Sequence, residues 1–188
     1  MRAEMYRLFA GLLAAPPDVA MIDALRGLDL GGDTPGPDAI DGAWQALKRA
    51  AEQADPDALE DEYRGLFHGA GRGKLMPYAS CYPNGERNAR RLVGLRRDLD
   101  ALGIERRAGV GEPLDHVSAV CEAMGLIIDA ADEFPREVQQ RFFRDHVARW
   151  MGRFFADLRQ ARAARFYAPV GALGERFIAI EAQFLGAA

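Results

Sequence analysis

Apolar residues in this chain recur at steps of three and four, and the segments that carry them are separated by clusters of glycine and proline. That period belongs to amphipathic helices. No stretch alternates apolar and polar residues with β-branched enrichment, and Val and Ile are sparse beside Leu and Ala, so sheet formation is disfavoured. The expected fold is all-α: a single globular bundle of eight or nine helices, one domain over residues 1–188, without an internal repeat.

The breakers set the boundaries. Pro16-Pro17 stop a first helix whose Met5, Leu8, Phe9, Leu12 and Leu13 share a face. Asp18 caps a second helix to about Leu28, and Asp38 a third with Ile40, Trp44, Leu47 and Ala51 in register. Asp55-Pro56 opens a fourth, bearing Leu59, Tyr63, Leu66 and Phe67 and ending at Gly69. Residues His68–Pro83 have no period and read as a long ordered loop, a length that compact domains keep for a purpose. Asn84 caps the next helix, with Leu92, Leu95, Leu99 and Leu102 before Gly103. Pro113 starts the most apolar helix, and Pro135 starts a long one with Val138, Phe142, His146, Trp150, Phe154 and Leu158 on one stripe. In the last segment, Phe166 to Leu185, Pro169 is expected to kink the helix or to mark its start.

Composition narrows the function. With 24 Lys+Arg against 28 Asp+Glu, a net charge of -4 and arginines interleaved with acids, a nucleic-acid partner is disfavoured. Two cysteines forty residues apart, Cys81 and Cys121, make neither a disulfide scaffold nor a zinc pattern, which suits a reducing compartment. The stretch Met5–Ala15 reads as a core-facing helix instead of a secretory signal, because Arg7 interrupts its helically spaced apolar residues. The expected location is the cytoplasm.

Candidate chemistry is thin. Gly69-Ala70-Gly71-Arg72-Gly73-Lys74 lacks the first glycine, the following Ser or Thr and the preceding strand of a phosphate-binding loop. Asp115-His116 and Asp145-His146 are adjacent residues that point about 100° apart on a helix, so neither pair chelates a metal from one face. No metal and no cofactor are expected. Ser80 or Cys81 with a histidine would be the nucleophile of a small hydrolase, but no nucleophile motif surrounds either. His146 reads as a core-edge histidine whose ring is satisfied by backbone or by a carboxylate from another helix. Asp115 and Glu112 stand where a carboxylate can cap a helix, and a purely structural role is open for both.

Four short motifs occur in order: Glu62-Tyr63-Arg64-Gly65-Leu66-Phe67-His68-Gly69, Pro77-Tyr78-Ala79-Ser80-Cys81-Tyr82, Glu112-Pro113-Leu114-Asp115-His116-Val117 and Phe143-Arg144-Asp145-His146-Val147-Ala148-Arg149-Trp150. The series resembles the TorD/DmsD family of redox-enzyme maturation chaperones, from the opening Tyr6-Arg7-Leu8-Phe9-Ala10 to the closing Phe166-Tyr167. The resemblance implies an all-helical cytoplasmic chaperone, not an enzyme. Its partner would be the twin-arginine signal peptide, the apo form, or both, of a molybdenum-cofactor oxidoreductase during cofactor insertion and proofreading before export. It also implies a peptide-binding site drawn from Pro77, Tyr78, Ser80 and Tyr82 and from Glu112, Pro113, Asp115 and His116. Leu114 and Cys81 depart from the usual motifs, so peptide preference does not carry over.

On physical grounds the carboxylates of Asp115 and Glu112 would hold guanidinium groups, while Met76, Tyr78 and Tyr82 cover an apolar segment. The two loops, over thirty residues apart, are expected to converge at one groove. A helical adaptor for a folded partner is the alternative reading. A monomer is expected, with a helix-swapped dimer open because the linkers Leu30–Asp38 and Gly103–Glu112 are long.

Overall fold

The computed structural model of the chain describes residues 1–31, 40–68, 75–82, 88–105 and 113–186. Nine α-helices lie among the described residues: α1 (Arg2–Ala14), α2 (Val19–Arg26), α3 (Ile40–Glu52), α4 (Pro56–Tyr63), α5 (Asn88–Ala101), α6 (Val117–Asp129), α7 (Arg136–Phe142), α8 (Met151–Gln160) and α9 (Tyr167–Leu185). No strand occurs among them, only one isolated bridge. None of the described helices is long and apolar enough to cross a membrane. The expected caps at Asp38 and Asn84, and the glycine-rich stretch Gly69–Lys74, lie outside the described residues.

The contacts group into two compact units. The first comprises Met1–Ala14, Pro77–Met151 and Glu181–Ala188. In it α1 packs against α6. The face α1 offers is Met5, Tyr6, Phe9, Leu12 and Leu13, and α6 answers with Val117, Val120, Cys121, Met124 and Ile127. Each large apolar side chain so buried contributes about 1.5–3 kcal/mol. Burial pushes the Cys121 thiol far above its ordinary range, which keeps it protonated and inert.

One polar cluster sits inside this unit. Glu181, 1% exposed, accepts from Arg2 Nε at 2.6 Å and from Arg2 Nη2 at 2.9 Å. Arg2 Nη1 also donates to Gln139 Oε1 at 3.1 Å, and the Tyr6 hydroxyl donates to Glu181 at 3.2 Å. Burial, reinforced by the adjacent carboxylate, holds the Tyr6 phenol well above its ordinary value, so it remains a donor.

The long helix expected from Pro135 is interrupted. After α7 the turn Phe143–Val147 widens to a π-helical bond, Ala148 N–H to the Phe143 carbonyl at 2.8 Å, and α8 begins only at Met151. Wide turns of this kind re-aim the side chains beyond them. At the other end of α5, Gly103 takes a left-handed conformation (φ 65°), and Ile104 N–H closes back on the Leu99 carbonyl at 3.0 Å.

The second unit comprises Ala15–Met76 and Gly152–Ile180. Asp18 and Asp55 cap α2 and α4 as their spacing predicts, accepting from Met21 N–H at 2.8 Å and Ala58 N–H at 3.0 Å. Arg26 reaches across to the C-terminal end of α3, donating to the carbonyls of Ala51 at 2.9 Å and Ala54 at 3.2 Å. Pro169 stands in the first turn of α9, where its missing N–H has no helical partner to lose.

That first turn is held by Glu62, at the C-terminal end of α4. Its carboxylate accepts from the backbone N–H groups of Arg165 (2.8 Å), Phe166 (3.2 Å) and Tyr167 (2.9 Å). An anion placed on these unpaired amides satisfies both their hydrogen-bonding need and the helix dipole. Replacing Glu62 by alanine is expected to lower stability by about 1–2 kcal/mol, read as an earlier midpoint in urea. An unchanged midpoint would deny the carboxylate this role.

Candidate functional site

The two loop motifs meet in the first unit. Tyr78 and His116 form an antiparallel bridge: Val117 N–H donates to the Pro77 carbonyl at 2.8 Å and Ala79 N–H to the Asp115 carbonyl at 2.9 Å. Ala79–Cys81 then turns in a single 3₁₀ turn. The side chain of Asp115, 5% exposed, adds a third tie through Oδ2, which accepts from Ser80 N–H at 3.0 Å. A buried carboxylate with one oxygen anchored on a backbone amide is fixed in direction, and its other oxygen has no hydrogen bond among the described residues.

His116 caps α6, which starts at Val117 and not at Pro113; the bridge to Tyr78 keeps residues 113–116 out of the helix. Its Nδ1 accepts from Ser118 N–H at 3.2 Å and lies 2.6 Å from Ser118 Oγ. In its neutral form the ring therefore carries its proton on Nε2. The Tyr78 ring meets the imidazole edge-on, with centroids 5.2 Å apart.

The remaining expected residues fall as follows. Tyr82 is buried with its ring 5.6 Å from Trp150, Pro77 is buried, Ser80 is half-buried and Pro113 is exposed. Met76 is exposed and belongs to the second unit. Glu112 lies outside the described residues. Ser80 and Cys81 carry no hydrogen bond to a histidine among the described residues, so the nucleophile pairing needed for a hydrolase is not formed there.

Sequence periodicity gave no sign of what lies beside Asp115. A small cavity of about 20 Å³ is lined by Asp115, Ala79, Arg91 and Leu95 together with Asp145, His146, Arg149 and Trp150. His146 Nε2 is 2.8 Å from Asp98 of α5, the partner from another helix that its position called for. Burial lowers the His146 pKa against the raising pull of Asp98, favouring the neutral ring at pH 7. Trp150 Nε1 donates to the His146 carbonyl at 2.7 Å, which fixes the indole as a wall. Asp145 is engaged by Arg144 at 3.0 and 3.1 Å and by Arg149 at 3.6 Å. Arg91 donates from Nη1 to the Tyr82 carbonyl at 3.0 Å, tying α5 to the aromatic loop.

The all-helical fold is shared with a solved structure described as a redox enzyme maturation protein from Archaeoglobus fulgidus, at TM-score 0.62 and 20% identity over 95% of this chain and 94% of that one. The chain belongs to the family described as the nitrate reductase delta subunit, whose model matches residues 34–156. It is also similar to proteins named Chaperone protein TorD along nearly its whole length. That of Shewanella loihica is 25% identical over 99% of this chain and 93% of the relative. That of Photobacterium profundum is 28% identical over 98% and 94%.

Proposed function

We propose that this protein is a cytoplasmic chaperone for a molybdenum-cofactor oxidoreductase, which it holds through the twin-arginine signal peptide, the apo-protein, or both, while the cofactor is inserted. Its work is binding, not catalysis, and it acts as a monomer. Family membership and the TorD relatives support the class of function. One observation carries the site: the Asp115 carboxylate, buried and anchored by Ser80 N–H, with its second oxygen available beside a cavity walled by Trp150 and Leu95. A guanidinium reaching such an oxygen makes a charge-assisted bond in a site largely screened from water, and the apolar residues that follow it find aromatic and aliphatic surface nearby. Tyr78 and Pro77 shape the entry by holding Asp115 and His116 in the bridge.

The test is Asp115→Asn. Asparagine keeps an acceptor for Ser80 N–H and removes only the charge. Affinity for a synthetic twin-arginine leader peptide, measured by calorimetry, is expected to fall more than about tenfold with the helical spectrum unchanged. Equal binding by the folded variant would rule out Asp115 as the arginine receptor.

A further inference from the structure

The cavity beside Asp115 holds an unmatched cation. Arg91 Nη1 is committed to the Tyr82 carbonyl, which fixes the plane of the guanidinium. Its Nε and Nη2 atoms are buried and have no hydrogen-bond partner among the described residues. The other charged groups lining the cavity are already engaged: Asp145 by Arg144 and Arg149, His146 by Asp98, and Asp115 through one oxygen by Ser80 N–H. Among the described residues no acceptor meets Arg91 Nε or Nη2, the second oxygen of Asp115 included. A guanidinium does not escape this by losing its proton. The Nε–H and Nη2–H bonds run parallel along one edge of the group, the edge that matches a carboxylate. A volume of about 20 Å³ admits one oxygen-sized group. A phosphate is a poorer match, since its several charged oxygens would face the carboxylates of Asp115 and Asp145.

We propose that this cavity is a carboxylate site, in which Arg91 Nε–H and Nη2–H take one oxygen of an Asp or Glu side chain of the bound peptide or of a small free carboxylate. For a peptide, this deepens the function proposed above and rests on it: the preferred segment carries an acid close to the arginine that Asp115 receives, so opposite charges are read at two adjacent points. Arginine pairs without a nearby acid would leave Arg91 unmatched and bind less tightly.

The experiment has two arms on the full chain, each run on wild type and on Arg91→Lys, which keeps the charge and loses the fork. In the first, sodium acetate is titrated against the ¹⁵N-labelled arginine Nε–H resonances, with sodium chloride as the ionic control. A saturable shift of the Arg91 signal, absent with chloride, is expected. In the second, twin-arginine peptides carrying glutamate at positions flanking the arginine pair are compared with their glutamine counterparts. The best glutamate peptide is expected to bind wild type at least about tenfold more tightly than its glutamine form, and the ratio to fall to about twofold or less in Arg91→Lys. An acetate shift with equal binding of the two peptides assigns the site to a small carboxylate. Failure of every peptide to bind overturns the signal-peptide reading, and the acetate arm then decides the cavity alone. No acetate shift together with equal binding of the peptides, in a protein whose helical spectrum is intact, overturns the proposal.

Discussion

Gly171→Ala is expected to destabilise the protein by about 3 kcal/mol, the upper end of overpacking costs, read from the midpoint of urea unfolding followed by helical circular dichroism. A Cβ at this position of α9 would lie 2.4 Å from Arg159 N, 2.7 Å from the Phe155 carbonyl oxygen and 2.9 Å from Arg159 Cα. All three are backbone atoms of α8, and a helix backbone cannot rotate out of the way as a side chain does. The helices would have to separate, loosening Phe155, Leu158 and Leu173, all fully buried. Gly174 is a milder case. There the obstacle is the Phe155 ring at 2.3 to 2.4 Å, which is able to turn, though only within a packed interior. Gly65 supplies the control. Nothing lies within 4 Å of its Cβ position, and Gly65→Ala is expected to be neutral or slightly stabilising, because alanine loses less freedom on entering a helical turn. If Gly171→Ala unfolded at the same urea concentration as Gly65→Ala, the close approach of α8 and α9 would be wrong.

The second large effect belongs to Glu181. Its carboxylate takes two N–H groups of Arg2 and the Tyr6 hydroxyl while almost wholly shielded from water. Glu181→Ala strands these donors, and breaking a buried pair from one side costs about 3–5 kcal/mol. The lower end is expected, since the Arg2 side chain is 25% exposed and recovers some hydration. Pairing the change with Arg2→Met should restore much of the loss, because a pair removed whole leaves no uncompensated charge. A double variant as unstable as Glu181→Ala would show that the cost lies in lost packing and not in the charge.

Much of this architecture is written locally in the sequence. Asp18 and Asp55 cap where a side-chain oxygen precedes a helical run, and the leucine stripe of α5 buries Leu95 and Leu99. Where the chain departs from those expectations, a specific hydrogen bond or bridge is responsible. Proline placement suggested a helix from Pro113, yet the Tyr78 bridge holds that segment extended until Val117. The stripe Phe142, His146, Trp150 suggested one straight helix from Pro135, but the wide bond from Ala148 to Phe143 resets the phase without altering the spacing of apolar residues. Likewise, the Arg90-Arg91 pair looks symmetrical in sequence, and only the tertiary position of the Tyr82 carbonyl shows which arginine turns inward. Pro77, Tyr78, Ser80, Asp115 and His116 were legible as a group because their motifs resemble those of a family. The acceptor deficit at Arg91 has no sequence signature, since it depends on which partners the neighbouring acids have already taken.

In the proposed function a twin-arginine peptide is received beside Asp115. Backbone amide hydrogen exchange with and without a twin-arginine leader peptide tests it most directly, with a peptide whose two arginines are replaced by glutamine as the control. The prediction is slowed exchange at Ala79, Ser80, Cys81 and His116 with the arginine peptide and none with the control. Protection confined to other segments, such as the α2 and α4 surface around Ile22 and Leu59, or equal protection by both peptides, would contradict it.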